Sequence, residues 1–175
     1  MALVQTHLEK LDCLKEIDIK KVEFLAYLIK NTKGNVFIIG VGKNSTLAKH
    51  IADTLKSISI KAFFFSPLNC THGDIGALCS DDLVIFLSKS GNTDELNNIV
   101  NQIKNKNIKT VLVSCNQLSL ISKKVNYNIY LNFSNESTFM IPTTSIILYI
   151  FFFNLVVNVL VYKTNLSIEQ YGLNH

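Results

Sequence analysis

Five short runs dominated by apolar residues constrain this chain more than any other feature. They fall at Asn35–Gly40 (NVFIIG), Ile60–Phe65, Leu83–Ser88, Lys109–Ser114 and Tyr127–Phe133. Short apolar runs of this kind, alternating with helices, predict strands buried on both faces. Apolar residues at helical spacing fill the gaps: Leu47, Ile51, Leu55 and Ile58 in one, Leu96, Ile99, Val100 and Ile103 in another. They predict helices over 46–57 and 93–105, with a further one over 117–124. Strand and helix in alternation predict an α/β fold, a five-stranded parallel sheet with right-handed crossovers and helices on both sides. In such sheets ligands sit beyond the carboxyl ends of the strands, where the chain order reverses.

Two turns follow strands at that end. The first is Gly40-Val41-Gly42-Lys43-Asn44-Ser45, and the second is Ser88-Lys89-Ser90-Gly91-Asn92-Thr93. The second joins an apolar strand to an amphipathic helix. Its free backbone N–H groups and three hydroxyls suit an anion, most naturally a phosphate, and equally suit a plain Ser/Thr cap with a turn glycine. The first lacks both a full GxGxxG pattern and the P-loop spacing, so it does not read as a nucleotide site. Lys43 reads first as a solvated lysine at a helix start, but a cation there opposes the dipole by a few tenths of a kcal/mol, which adds weight to a functional reason. Cys70-Thr71-His72-Gly73-Asp74 places an imidazole and a carboxylate in a loop at the same edge, without the third ligand a metal needs. Glu95 and Glu136 are candidate general bases, and Glu95 reads as well as a favourable charge in a first helical turn.

The rest of the chain bounds the class. Its 175 residues fit one domain, which we divide into a helical segment over 1–33 and an α/β unit over 34–175. An apolar fraction of 48% with 17% charged residues predicts an ordinary buried core. The net charge of +4 comes from scattered lysines with no basic block, which speaks against nucleic acid as a partner. Cys13, Cys70, Cys79 and Cys115 show no CxxC pairing and no apolar signal core precedes them, so they read as reduced thiols of a cytoplasmic protein. The apolar block Ile146–Tyr162 has membrane-spanning length, yet Asn154 and Asn158 interrupt one face and charged flanks are missing. It predicts a buried helix, not a membrane span, and a candidate subunit interface.

Taken in order, GVGKNS (40–45), FFFSPLNCTHGDIGAL (63–78), LSKSGNTDEL (87–96), IPTTS (141–145) and LSIEQYGLNH (166–175) resemble the sugar isomerase (SIS) domain of the arabinose-5-phosphate isomerases. Related hexulose-phosphate isomerases share the SxSGxT turn but typically lack the His-Gly-Asp segment and the lysine. The resemblance implies a flavodoxin-like α-β-α sandwich, a homotetramer, and interconversion of D-ribulose 5-phosphate and D-arabinose 5-phosphate through a cis-enediol without a cofactor or metal. It places the family's catalytic lysine on Lys43, its histidine on His72, its two glutamates on Glu95 and Glu136, and its last catalytic histidine on His175. Glu136 would be the proton-shuttling base and Glu95 a second acid/base or hydroxyl ligand. Phosphate contacts would come from Ser88, Ser90, Gly91, Asn92 and Thr93, with Ser45 nearby. Three departures stand out: the 175 residues hold no CBS modules, the stretch from Glu136 to Pro142 is short for the family, and the chain ends on His175, which would act from a neighbouring subunit. The alternatives are a sugar-phosphate-binding module without catalysis and a hexulose-phosphate isomerase.

Overall fold

A computed structural model describes residues 2–133, 135, 136 and 139–175, with side chains from Val4 onward. Five strands form one sheet: β1 Val36–Gly40, β2 Ala62–Phe64, β3 Leu83–Leu87, β4 Lys109–Ser114 and β5 Tyr127–Tyr130. All neighbours are parallel and the order is β2-β1-β3-β4-β5. The pairings Gly40↔Leu87 and Leu87↔Val113 bring the ends of β1, β3 and β4 level. The order reverses between β1 and β3, so their two following loops diverge and leave a crevice between them.

Side chains alternate between two cores because the strand period is two. Ile38, Leu83, Ile85, Leu87, Val111 and Val113 face one side, where α2 (Ile19–Lys30), α3 (Lys43–Ser57) and α6 (Thr144–Thr164) cover them. Phe37, Ile39, Val84, Phe86 and Leu112 face the other, covered by α5 (Asp94–Ile103), by Cys70 and Ile75 of the β2–β3 connection, and by Ile121. Both faces of β3 are wholly buried, which is why its sequence is apolar at every position. Replacing Phe86, which is fully buried, by Ala would cost about 3–5 kcal/mol through the cavity left behind.

The remaining elements are α1 (Ala2–Lys10), a 3₁₀ turn over Leu11–Glu16, the short α4 (Pro67–Cys70), a 3₁₀ turn over Asp74–Ala77, another over Lys104–Lys106, and α7 (Ile168–Gly172). α6 is long and apolar enough to cross a membrane by length and composition alone. Leu148, Tyr149, Phe152, Val156 and Leu160 nevertheless lie on a buried face packed against α2 and α3, which identifies it as a core helix of this fold. Its carboxyl end is closed by Asn165 in the left-handed region, whose N–H donates to the Val161 and Tyr162 carbonyls.

One expected helix is absent among the described residues. Residues 117–124 form successive turns. Ser122 N donates to Ser119 Oγ at 3.2 Å, Ser119 N to Ser122 Oγ at 3.1 Å and Leu118 N to Asn116 Oδ1 at 3.1 Å. These side chains take the amides that a helical ladder would use.

Candidate active site

The α/β order brings four segments together at the carboxyl end of the sheet. The β1–α3 loop turns sharply at Gly40, where an added Cβ would lie 2.4 Å from the Asn44 carbonyl oxygen. Gly42, at φ +61°, starts α3, and Lys43 is the first residue of that helix, exposed to solvent. The hydroxyl of Ser45 donates back to the Gly42 carbonyl at 2.7 Å, which stitches the loop closed.

The β3–α5 turn is held from inside and from behind. Gly91 N donates to Ser88 Oγ at 3.0 Å, and the Ser88 and Thr93 hydroxyls are 2.8 Å apart. Gly91 sits at φ +64°, and a Cβ there would come within 2.3 Å of Ser119 Oγ. Behind the turn, Ile121 N donates to Gly91 O at 3.1 Å, Asn116 Nδ2 to Ser90 O at 3.0 Å and Leu120 N to Asn92 Oδ1 at 2.8 Å. Asn92 therefore spends its side-chain oxygen on the scaffold.

A cleft of about 340 Å³ opens between these loops, lined by Val41, Lys43, Asn44, Ser88, Lys89, Ser90, Thr93, Pro142 and Ser145. It falls in the size range of small-ligand sites. The starts of α3, α5 and α6, at Lys43, Asp94 and Thr144, surround it; the Thr143 and Ser145 amides of α6 are taken by Glu136, so it is the dipoles of α3 and α5 that favour an anion there. Among the lining residues the charged ones are Lys43 and Lys89, both cationic.

Glu136 lies under this cleft, its side chain 4% exposed. Its Oε2 accepts from Thr143 N at 3.0 Å and Ser145 N at 3.2 Å. Its Oε1 accepts from Ser145 Oγ and, at 3.2 Å, from Lys89 Nζ. Burial pushes its pKa up, but the bonds from the Ser145 hydroxyl, the Thr143 and Ser145 amides and the Lys89 ammonium outweigh burial. The carboxyl is held below its ordinary range. In this arrangement Glu136 caps the start of α6 with both oxygens engaged.

A second cleft, of about 550 Å³, lies across the 40–45 loop and shares Val41 with the first. Glu95, exposed in the first turn of α5, lines it with Ser45, Ser66, Thr71 and Asn98. His72 follows Thr71 on the surface, its N–H donating to Asn69 O at 2.8 Å. His175 is remote within this chain. Its ring lies tilted against that of Tyr171, centroids 4.5 Å apart, and its neighbour Asn174 donates to Ser57 O at 3.0 Å, at the amino end of the sheet. No three His, Cys, Asp or Glu side chains gather as a metal site among the described residues. Cys115, below the β3–α5 turn, is pushed up to about 12 by burial and is no thiolate nucleophile.

Of the residues expected to bind phosphate, Ser88, Ser90 and Thr93 line the first cleft, Gly91 and Asn92 face the scaffold, and Ser45 lines the second cleft. Sequence reasoning assigned no role to Lys89, Asn44 or Ser145. Pro142 followed by hydroxyl residues at the head of a long apolar helix was the available signal for Ser145, since such residues gather at helix starts.

Sheet order, crevice position and the hydroxyl-lined turn define a doubly wound α/β protein of the flavodoxin topology with a cleft at its switch point. Residues 28–159 match the SIS domain, and the chain belongs to that family. Among its relatives is the arabinose 5-phosphate isomerase KpsF of Escherichia coli O6:H1, 33% identical over 133 residues, which are 75% of this chain and 41% of the relative. Another is the arabinose 5-phosphate isomerase KdsD of Pseudomonas aeruginosa, 34% identical over 105 residues, 60% of this chain and 32% of the relative. The chain thus spans less than half the length of these curated relatives. Among solved structures, a Listeria monocytogenes candidate sugar-phosphate isomerase superposes with a TM-score of 0.91 at 26% identity, covering 99% of this chain and 93% of that one. An Escherichia coli protein in complex with arabinose 5-phosphate superposes with a TM-score of 0.92 at 22% identity and the same coverage.

Proposed function

We propose that this chain is an aldose–ketose isomerase of sugar phosphates that interconverts D-arabinose 5-phosphate and D-ribulose 5-phosphate. The observation that carries this reading is the cleft itself, where the Ser88, Ser90 and Thr93 hydroxyls, the starts of α3 and α5, and Lys43 converge. The two isomerases among its relatives support the choice of sugar. A phosphate seated on the β3–α5 turn fixes the substrate's register. The reaction moves a proton between C1 and C2 through a cis-enediol, and the Lys43 ammonium stabilises the charge that develops on the oxygens.

Proton transfer needs a carboxylate that is accessible. Glu136 would first have to give up its bonds to Ser145 and Lys89, whereas Glu95 stands exposed in the neighbouring cleft. We assign the proton shuttle to Glu95 and the anchoring of the pocket floor to Glu136. His72, beside the second cleft, polarises a substrate hydroxyl. The partly exposed strip of α6 that includes Ile146, Ile150 and Phe151 forms the subunit interface of a homotetramer, and His175 reaches the site of a neighbouring copy.

The test is proton exchange at C1 and C2, followed by NMR in deuterated water with D-ribulose 5-phosphate. We expect exchange in the wild type and a loss of at least about a hundredfold in Lys43→Met, the scale on which a lost oxyanion partner acts. The engagement of both Glu136 oxygens favours one second reading, a sugar-phosphate-binding module without turnover. Thermal stabilisation by ribulose 5-phosphate with no exchange on that sugar, on arabinose 5-phosphate or on a hexulose 6-phosphate establishes that reading instead.

A further inference from the structure

Lys89 stands between the two serines of the β3–α5 turn, a position whose side chain no motif assigns. Its backbone is fixed, its carbonyl accepting from Cys115 N at 3.0 Å. Its side chain lines the first cleft and keeps 37% of its surface exposed. Two contacts set the direction of the ammonium: Glu136 Oε1 at 3.2 Å and the ring of Phe133, whose centroid is 5.6 Å away.

We propose that Lys89 is the cation that selects a phosphate monoester in this cleft, and that Glu136 is the positioning residue that aims it. The inference rests on the reading of the cleft as a sugar-phosphate site. Three observations carry it. An ammonium has three donors, and Glu136 occupies one, which leaves two for a guest. Glu136 does not depend on Lys89, because Thr143 N, Ser145 N and Ser145 Oγ still satisfy its oxygens when the ammonium leans into the cleft. The carboxylate is buried and held in place while the ammonium keeps 37% of its side chain exposed, so a guest in the cleft can reach it.

A phosphate monoester carries about −1.5 to −2 at neutral pH. Lys89 supplies a positive charge beside the hydroxyls of the turn and leaves Lys43 for the sugar oxygens, the Glu136 carboxylate 3.2 Å away offsetting part of that charge. Lys89 also sits just before the amino end of α5, where a cation opposes the dipole. An anion between them converts that unfavourable placement into a favourable one.

The experiment compares wild type, Lys89→Met and Lys89→Arg, with inorganic phosphate and D-ribulose 5-phosphate as probes, by calorimetry and by steady-state kinetics where turnover is present. A charged hydrogen bond carries enough free energy to change affinity roughly ten- to a hundredfold. We expect Lys89→Met to weaken both probes by that factor, raising KM with kcat within a few-fold, and Lys89→Arg to recover most of the loss. Equal phosphate affinity in wild type and Lys89→Met overturns the inference, as does a loss confined to kcat. If Lys89→Met fails to fold, Lys89→Gln, which retains a hydrogen-bonding head without charge, carries the same expectations. A wild type that binds phosphate without isomerising any sugar refutes the proposed activity while the phosphate affinities still decide the role of Lys89. A wild type that binds neither inorganic phosphate nor D-ribulose 5-phosphate refutes both.

Discussion

Removing the Glu136 carboxylate is the perturbation whose size the structure defines best. In Glu136→Ala the Ser145 amide and hydroxyl, both in a buried residue, and the half-buried Thr143 amide lose the acceptor they share. A buried polar group left without a partner costs about 1–3 kcal/mol, and loss of a helix cap about 0.5–2 kcal/mol. These overlap at one site, and Lys89 is open enough to be re-solvated, so the sum falls near 3 kcal/mol, at the low end for breaking a buried pair. For a domain of this size that lowers the melting midpoint by about 6–12 °C. Glu136→Gln keeps an acceptor and the shape, so about half the loss is expected.

The pH dependence has a definite sign. The folded carboxyl lies below its ordinary range, so its contribution is complete above about pH 4.3, the unfolded value, and fades as pH falls through the lower folded value. Urea titrations at pH 7 and along the acid limb measure both quantities. Wild type should exceed Glu136→Ala by about 3 kcal/mol at pH 7, and the gap should narrow below pH 4. A gap under about 1 kcal/mol at pH 7, or one that is constant into acid, refutes the reasoning.

Two further outcomes test the scaffold. Gly91→Ala puts a methyl at φ +64° and within 2.3 Å of Ser119 Oγ, so a loss of about 2–3 kcal/mol is expected, partly recovered in the Gly91→Ala/Ser119→Gly double variant; denaturant melts of the cycle check it. Tyr149→Phe removes the hydroxyl that donates to Val113 O at 3.1 Å, which should cost about 1 kcal/mol in the same assay and leave Cys115 unreactive toward a thiol reagent at pH 8.

The parts of the fold legible in the sequence were those where burial dictates residue type. β3, buried on both faces, has to be apolar throughout, and the turn after it has to supply hydroxyls and a glycine. Segment 117–124 misled because Leu118 and Ile121 imitate a helical period, while Ser119, Ser122 and Asn116 bond their own backbone. The site was harder to read in proportion to how far it depends on side-chain direction. Nothing in the spacing of Glu136 reveals that it folds back onto the start of α6, or that Asn92 points to Leu120 and not to the cleft. Lys89 was hidden for a different reason: a lysine in a turn reads as solvated until a buried carboxylate is found beneath it.

The bracing of the β3–α5 turn has a consequence for how a ligand is admitted. Surface loops are ordinarily the first places to open, yet this one is tied to segment 116–122 through Ser90 O, Gly91 O and Asn92 Oδ1. Its recognition groups are therefore set before a guest arrives, and little ordering entropy remains to be lost on that side. The opposite wall is closed by local bonds, Ser45 Oγ and Ser45 N donating to Gly42 O and Asn44 N to Val41 O. Amide hydrogen exchange should be slow at Gly91 and Ile121, the mark of a wall that serves as a fixed template.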